Sequence, residues 1–202
     1  MLTWKKWILC SLAGAALAAP VLPQTFGQNG QSFGLGATYG SVNDVSHSFT
    51  LDGFKPSEYT IFFDYKIEQS ALLRLTYGSM WTKQSQAGTT QVTPGGDVTV
   101  PGIKERINYL TADVSYQYTG GFYTGGAFGG IGGYQLKPQP VPPEFAAYAD
   151  QNEKVFGFNL GLDGEFRLMP NLAAVLRVTY HNVAAHPRRQ FFNADAGLVA
   201  RF

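Results

Sequence analysis

The sequence predicts an all-β fold, an eight-stranded antiparallel up-and-down transmembrane β-barrel. Three observations carry that prediction. Of 202 residues only 14% are charged, while 14% are aromatic and 24 are Gly. A disordered chain would be rich in charge and poor in aromatics. A helical bundle would favour Lys, Glu and Leu over Gly, Tyr, Phe and Thr. Eight segments alternate apolar and polar residues with period two. Their connections alternate between short and long, as happens when successive turns lie at opposite ends of a barrel.

The N-terminus reads as an export signal. Lys5 and Lys6 precede a short apolar run from Trp7 to Ala15, and Ala16-Leu17-Ala18 fits a small-x-small cleavage site. Residues 1–18 are therefore expected to be a signal peptide, 19–30 a leader and 31–202 the barrel. Cys10, the only cysteine, leaves with the signal, so the mature chain has no disulfide framework, thiolate nucleophile or Cys-based metal site. Lys5 and Lys6 leave too, so 13 basic residues face 14 acidic ones. That balance gives no electrostatic case for nucleic acid.

The strands follow in order. The first, about 32–40, sets Phe33, Leu35, Ala37 and Tyr39 against Gly34, Gly36 and Thr38. The second, about 58–66, sets Tyr59, Ile61, Phe63 and Tyr65 against Thr60, Phe62, Asp64 and Lys66. In the third, about 71–81, Leu73, Leu75 and Tyr77 oppose Arg74, Thr76 and Gly78. In the fourth, about 107–118, Leu110, Ala112, Val114, Tyr116 and Tyr118 oppose Thr111, Asp113, Ser115 and Gln117. The fifth, about 122–134, is blurred by its Gly runs, with Phe122, Thr124, Gly126 and Phe128 expected on one face. The sixth, about 155–166, sets Phe158, Leu160, Leu162 and Phe166 against Asn159, Gly161, Asp163 and Glu165. The seventh, about 172–181, sets Ala174, Leu176, Val178 and Tyr180 against Val175, Arg177, Thr179 and His181. The eighth, about 191–202, sets Phe192, Ala194, Ala196, Leu198, Ala200 and Phe202 against Asn193, Asp195, Gly197, Val199 and Arg201.

Short connections centre on Glu68-Gln69-Ser70, Thr119-Gly120-Gly121 and Leu168-Met169-Pro170-Asn171. Long ones cover about 41–57, 82–106 and 135–153, with an intermediate one at 182–190. Outer-membrane barrels pair short periplasmic turns with longer external loops. Within the second long connection, two β-prone runs flank Pro94-Gly95-Gly96, which predicts a protruding hairpin. Pro138, Pro140, Pro142 and Pro143 stiffen the third.

Alternation alone does not say which face is inside. A soluble ligand-binding barrel turns its apolar face inward; a membrane barrel reverses this. The export signal and the aromatics favour the membrane. Tyr65, Tyr116, Tyr118, Phe166 and Phe202 sit near the short turns, and Tyr39, Tyr59, Tyr77, Trp81, Tyr134, Tyr180 and Phe192 toward the long loops. Two such rings are the expected interfacial girdles. The opposite face then becomes the lumen. It collects Asp64, Lys66, Arg74, Asp113, Asp163, Glu165, Arg167, Arg177, Asp195 and Arg201, five acidic and five basic residues. A Lys or Arg facing lipid at mid-bilayer costs about 2–4 kcal/mol, so this face must avoid lipid. Eight strands enclose an interior that side chains just fill. A plugged or narrow lumen is expected.

Two stretches carry a family likeness. Residues 157–172 hold a strand, the turn Arg167-Leu168-Met169-Pro170-Asn171-Leu172 and the start of the next strand. Residues 193–202 form a closing strand ending in Phe202, and Tyr123-Thr124-Gly125-Gly126-Ala127 loosely matches a Gly-rich fifth strand. In these features the chain resembles the OmpA-like eight-stranded outer-membrane barrel superfamily. The resemblance implies an outer-membrane location, with outer-membrane lipid and lipopolysaccharide as surroundings. It also implies that the barrel-assembly machinery reads the terminal Phe202 as an insertion signal. It covers the barrel domain only, so no peptidoglycan-binding domain is expected.

The three His residues, His47, His181 and His186, have no metal-site spacing. No metal, cofactor or catalytic residue is expected. Some small outer-membrane barrels modify lipid A with a His, a Ser and a carboxylate. Here His181 is followed by Asn182 and Val183, with no Ser nearby. Arg188-Arg189 reads as a basic loop patch, solvated or touching lipopolysaccharide phosphates. The expected function is therefore non-enzymatic, of the OmpA-like or small-porin type: envelope structure, surface contact or limited solute permeation. The alternatives are a lipid A-modifying enzyme and a soluble periplasmic barrel for an apolar ligand.

Overall fold

A computed structural model describes residues 33–46, 55–83, 90–93, 96–99, 104–140, 142–148 and 151–202. The expected signal, the leader and His47 lie outside these residues. The strands are β1 (Phe33–Asp44), β2 (Lys55–Lys66), β3 (Ala71–Lys83), β4 (Thr90–Thr93), β5 (Gly96–Thr99), β6 (Lys104–Thr119), β7 (Tyr123–Pro138), β8 (Glu153–Met169), β9 (Leu172–Val183) and β10 (Arg189–Arg201). Eight of them close a barrel in the order β1-β10-β9-β8-β7-β6-β3-β2, every neighbouring pair antiparallel. β4 and β5 form the separate hairpin that Pro94-Gly95-Gly96 foretold, with Gly96 at a φ of 115° that only Gly adopts freely. Closure is sealed by two backbone bonds of 3.0 Å between Phe33 and Phe202. Within the barrel sheet no edge remains to recruit another strand.

All eight barrel strands appear where alternation placed them, but most run further at the long-loop end. β6 and β7 have 16 residues each and β8 has 17. A tilted strand needs only about 9–11 residues to cross the hydrocarbon. The excess keeps its backbone groups paired beyond that layer. At the other end, two-residue or slightly longer turns are tied by bonds such as Ile67 N to Ala71 O (2.9 Å) and Gly120 N to Tyr123 O (2.8 Å).

The two faces are inverted relative to a soluble barrel. Asp64 and Asp113 are completely buried, whereas Leu162 on the outer face is 57% exposed. Leu35, Ile61, Leu75, Leu110, Val114, Ile131, Leu160 and Leu198 join it in an apolar outer band. Large interior side chains fit because Gly stands beneath them. A methyl group at Gly36 would collide with the Phe62 ring, and one at Gly78 with the Tyr109 ring.

β7 corrects the sequence reading. Thr124, Gly126 and Phe128 do share a face, but it is the inner one, with Phe128 buried; Phe122 sits in the preceding turn and is exposed. Tyr134 has the same parity as Phe128 and is also buried, so it is not a girdle residue. Its hydroxyl has a partner inside, His181, which satisfies the polar tip that an interfacial Tyr would give to water. The other expected girdle residues lie on the outer face. Phe33, Phe63, Phe122, Phe156 and Phe158 face out as well.

Candidate functional site

Among the described residues the lumen is where buried chemistry concentrates, and strand register builds it. Asp64 lies directly opposite Arg74, which lies opposite Asp113; Arg177 lies between Asp163 and Asp195. Unlike charges at facing positions attract across neighbouring strands. Alternation turns all six side chains inward.

Near the short-turn end, Arg74 is the hub. It holds Asp64 through a fork, Nε to Oδ1 at 2.6 Å and Nη2 to Oδ2 at 2.9 Å, and donates from Nη1 to Asp163 Oδ2 at 2.8 Å. Glu165 stands 3.5 Å from its Nη2. Arg201 adds a second cation, bonding Glu165 and approaching Asp64 Oδ2 at 3.0 Å. The Phe62 ring lies 4.4 Å from the Arg74 guanidinium, and Arg177 packs on Phe62 and on Phe128 at 5.0 Å. Such stacking suits a weakly hydrated guanidinium better than an ammonium. Asp113 accepts from Asn159 at 2.8 Å and from Thr111 at 3.3 Å. Thr38 and Thr60 hydrogen-bond each other at 2.6 Å.

Two of the ten expected lumen charges are not in this buried network. Arg167 is exposed and Lys66 half-buried. Both lie at the short-turn mouth, where with Glu165 and Arg201 they line a cavity of about 80 Å³.

Toward the long loops the lumen closes in two further layers. Tyr109 donates to Glu58 at 2.5 Å, Asn193 donates to the same oxygen at 2.7 Å, and Tyr134 O–His181 Nδ1 is 2.9 Å. Above these, Met80, Ile107, Leu136, Val183 and Phe191 form an apolar plug. Arg189 caps it, reaching Glu105 at 2.8 Å, Asp44 at 2.7 Å and the Lys83 carbonyl at 2.7 Å. This revises the basic-patch reading. Arg189 opens β10 and is buried, while Arg188 stays at the surface and bonds Asn182 at 2.7 Å.

Glu58, Glu105, Asp44 and Arg189 were missed in the sequence. The first two share the inward parity of Asp64 and Asp113, so carrying the alternation toward the long loops would have found them. His181 points into the lumen, away from lipid, and its bonded neighbour is a Tyr. Among the described residues no group of three or more His, Cys, Asp or Glu is placed to hold a metal.

A family model described as outer membrane protein beta-barrel domain matches residues 8–202. No curated protein matches the chain. Solved structures share the fold. OprG from Pseudomonas aeruginosa is similar at 12% identity and a TM-score of 0.59, covering 85% of this chain and 96% of that one. Neisserial surface protein A aligns at 11% identity and 0.58, covering 86% and 98%. A major outer membrane protein from Thermus thermophilus aligns at 14% identity and 0.59, covering 85% and 98%.

Proposed function

The chain belongs to the outer membrane protein beta-barrel domain family and is an outer-membrane barrel, and from that premise we propose a non-enzymatic, envelope-structural protein with an occluded lumen. The observation that carries this is the stack of filled layers. The Arg74 cluster, the Tyr109–Glu58 and Tyr134–His181 layer, the apolar plug and the Arg189 cap succeed one another along the interior. A hydrated solute would have to break buried, charge-assisted bonds at several levels. The long loops then face the exterior and the short turns the periplasm. Residues 1–18 act as the export signal in this reading, and Phe202 is what the assembly machinery reads.

The interior gives no support to the soluble alternative, since charges occupy the face that would have to receive an apolar ligand. The lipid A-modifying alternative needs His181 at the lipid face or the mouth, and it is at neither. Planar-bilayer recording tests occlusion. The protein purified from outer membranes is expected to insert without discrete conductance steps; reproducible steps would replace the structural reading with the permeation one.

A further inference from the structure

Outside the lumen, charge obeys the opposite rule. At the long-loop end of β3, β6, β7 and β8 the outward positions hold Lys83, Lys104, Arg106, Lys137 and Lys154. Lys83 lies directly opposite Lys104, and Arg106 directly opposite Lys137. Like charges at facing positions destabilise a sheet. Yet none of the four lysines forms an ion pair with a described residue, and all four are exposed. Among the described side chains of the barrel strands, no acidic residue faces outward at this end. β9, β10 and β1 present Tyr180, Asn182, Gln190, Phe192, Tyr39 and Ser41 there instead. The basic face is thus one-sided.

Its height in the membrane is set by aromatics. Trp81 faces Arg106 across the β3–β6 pair, with the guanidinium 5.7 Å from its ring, and Arg106 also donates to the Tyr59 hydroxyl at 2.8 Å. Trp and Tyr mark the headgroup level. Directly below, the outer surface dips into a groove of about 320 Å³ between Leu110, Gly133 and Phe156, and Lys154 lines its upper end. Nothing stands within 4 Å of where a side chain at Gly133 would begin. An apolar furrow that runs into a cluster of cations with no described acidic partner fits an amphiphile with acyl chains and a multiply anionic head.

We infer that this face is a binding site for a phosphorylated glycolipid of the outer leaflet: lipid A, with its phosphates between the facing cations and an acyl chain along Gly133. The assignment rests on the proposed orientation, with long loops outward. Anions seated between Lys83 and Lys104, and between Arg106 and Lys137, relieve two repulsions that no described residue offsets.

The test titrates protein purified from outer membranes, in detergent, with bisphosphorylated lipid A, with phosphate-free lipid A and with phosphatidylglycerol, reading Trp81 fluorescence. The wild type should bind the bisphosphorylated form at least about tenfold more tightly than either other lipid. The combination K83Q, K104Q, K137Q and K154Q should lose that preference, and R188Q on the opposite side should keep it. Heat-modifiable migration on a gel certifies that each variant is a folded barrel. A folded quadruple variant that binds like wild type overturns the site, as does equal binding of phosphate-free lipid A or phosphatidylglycerol. A wild type that is not heat-modifiable would instead refute the barrel reading, and the site with it.

Discussion

Replacing Arg74 by alanine is expected to remove about 3–5 kcal/mol of unfolding free energy, a large share of what holds any single domain together. The reason is asymmetric. Arg74 is the direct cation for Asp64 and Asp163, and all three side chains are only 1% exposed. Deleting it leaves two carboxylates that water cannot reach. Arg201 still touches Asp64, which limits the loss but does not cover Asp163. If the penalty is uncompensated charge, Arg74→Met combined with Asp64→Asn and Asp163→Asn should recover much of it, because Glu165 keeps Arg201 and removing the cation together with its two directly bonded carboxylates is far cheaper than removing the cation alone. Urea unfolding in lipid vesicles, followed by gel migration, reads both. Equal instability of the single and triple variants would mean that packing against Phe62, not charge, is what Arg74 supplies.

Leu162→Arg is the second large effect. Leu162 is on the outer face, opposite Ala127 and Val178. At the bilayer midplane an outward Arg costs about 2–4 kcal/mol. On a barrel exposed to water the same surface change would fall within about 0.5 kcal/mol of neutral. The difference is large enough to decide between the two environments, and reversible unfolding in vesicles measures it.

How much of this was legible beforehand depended on how unlike the two faces of each strand are. β6 and β9 set Leu, Val and Tyr against Thr, Asp and Arg, and their alternation oriented them correctly. β7 has Gly125, Ala127, Gly129 and Gly133 outside and Gly126, Gly130 and Gly132 inside. With so many positions lacking a side chain on both faces, alternation barely distinguishes them, and Tyr134 turns inward, where it meets His181 of β9. Arg189 was hidden for another reason. Pro187 precedes it, which reads as loop, while the partners that bury it stand 84 and 145 residues away in sequence. Periodicity reports which side of a strand a residue takes. It does not report which distant carboxylate waits there, nor that like-charged residues will face each other, as Lys83 and Lys104 do.

The inside-out arrangement is tested most directly by single cysteines. Cys10 is the only native cysteine and lies within the expected signal segment, so a replacement in the barrel, made with Cys10→Ser, is unique. Spin labels at Leu162→Cys and Val114→Cys should collide with oxygen dissolved in the bilayer. Labels at Thr111→Cys and Thr179→Cys, whose native side chains are buried inside, should be shielded from it. Labels at Thr111 and Thr179 that meet lipid-dissolved oxygen, with Leu162 and Val114 shielded, would contradict the arrangement of charges within and apolar residues against lipid.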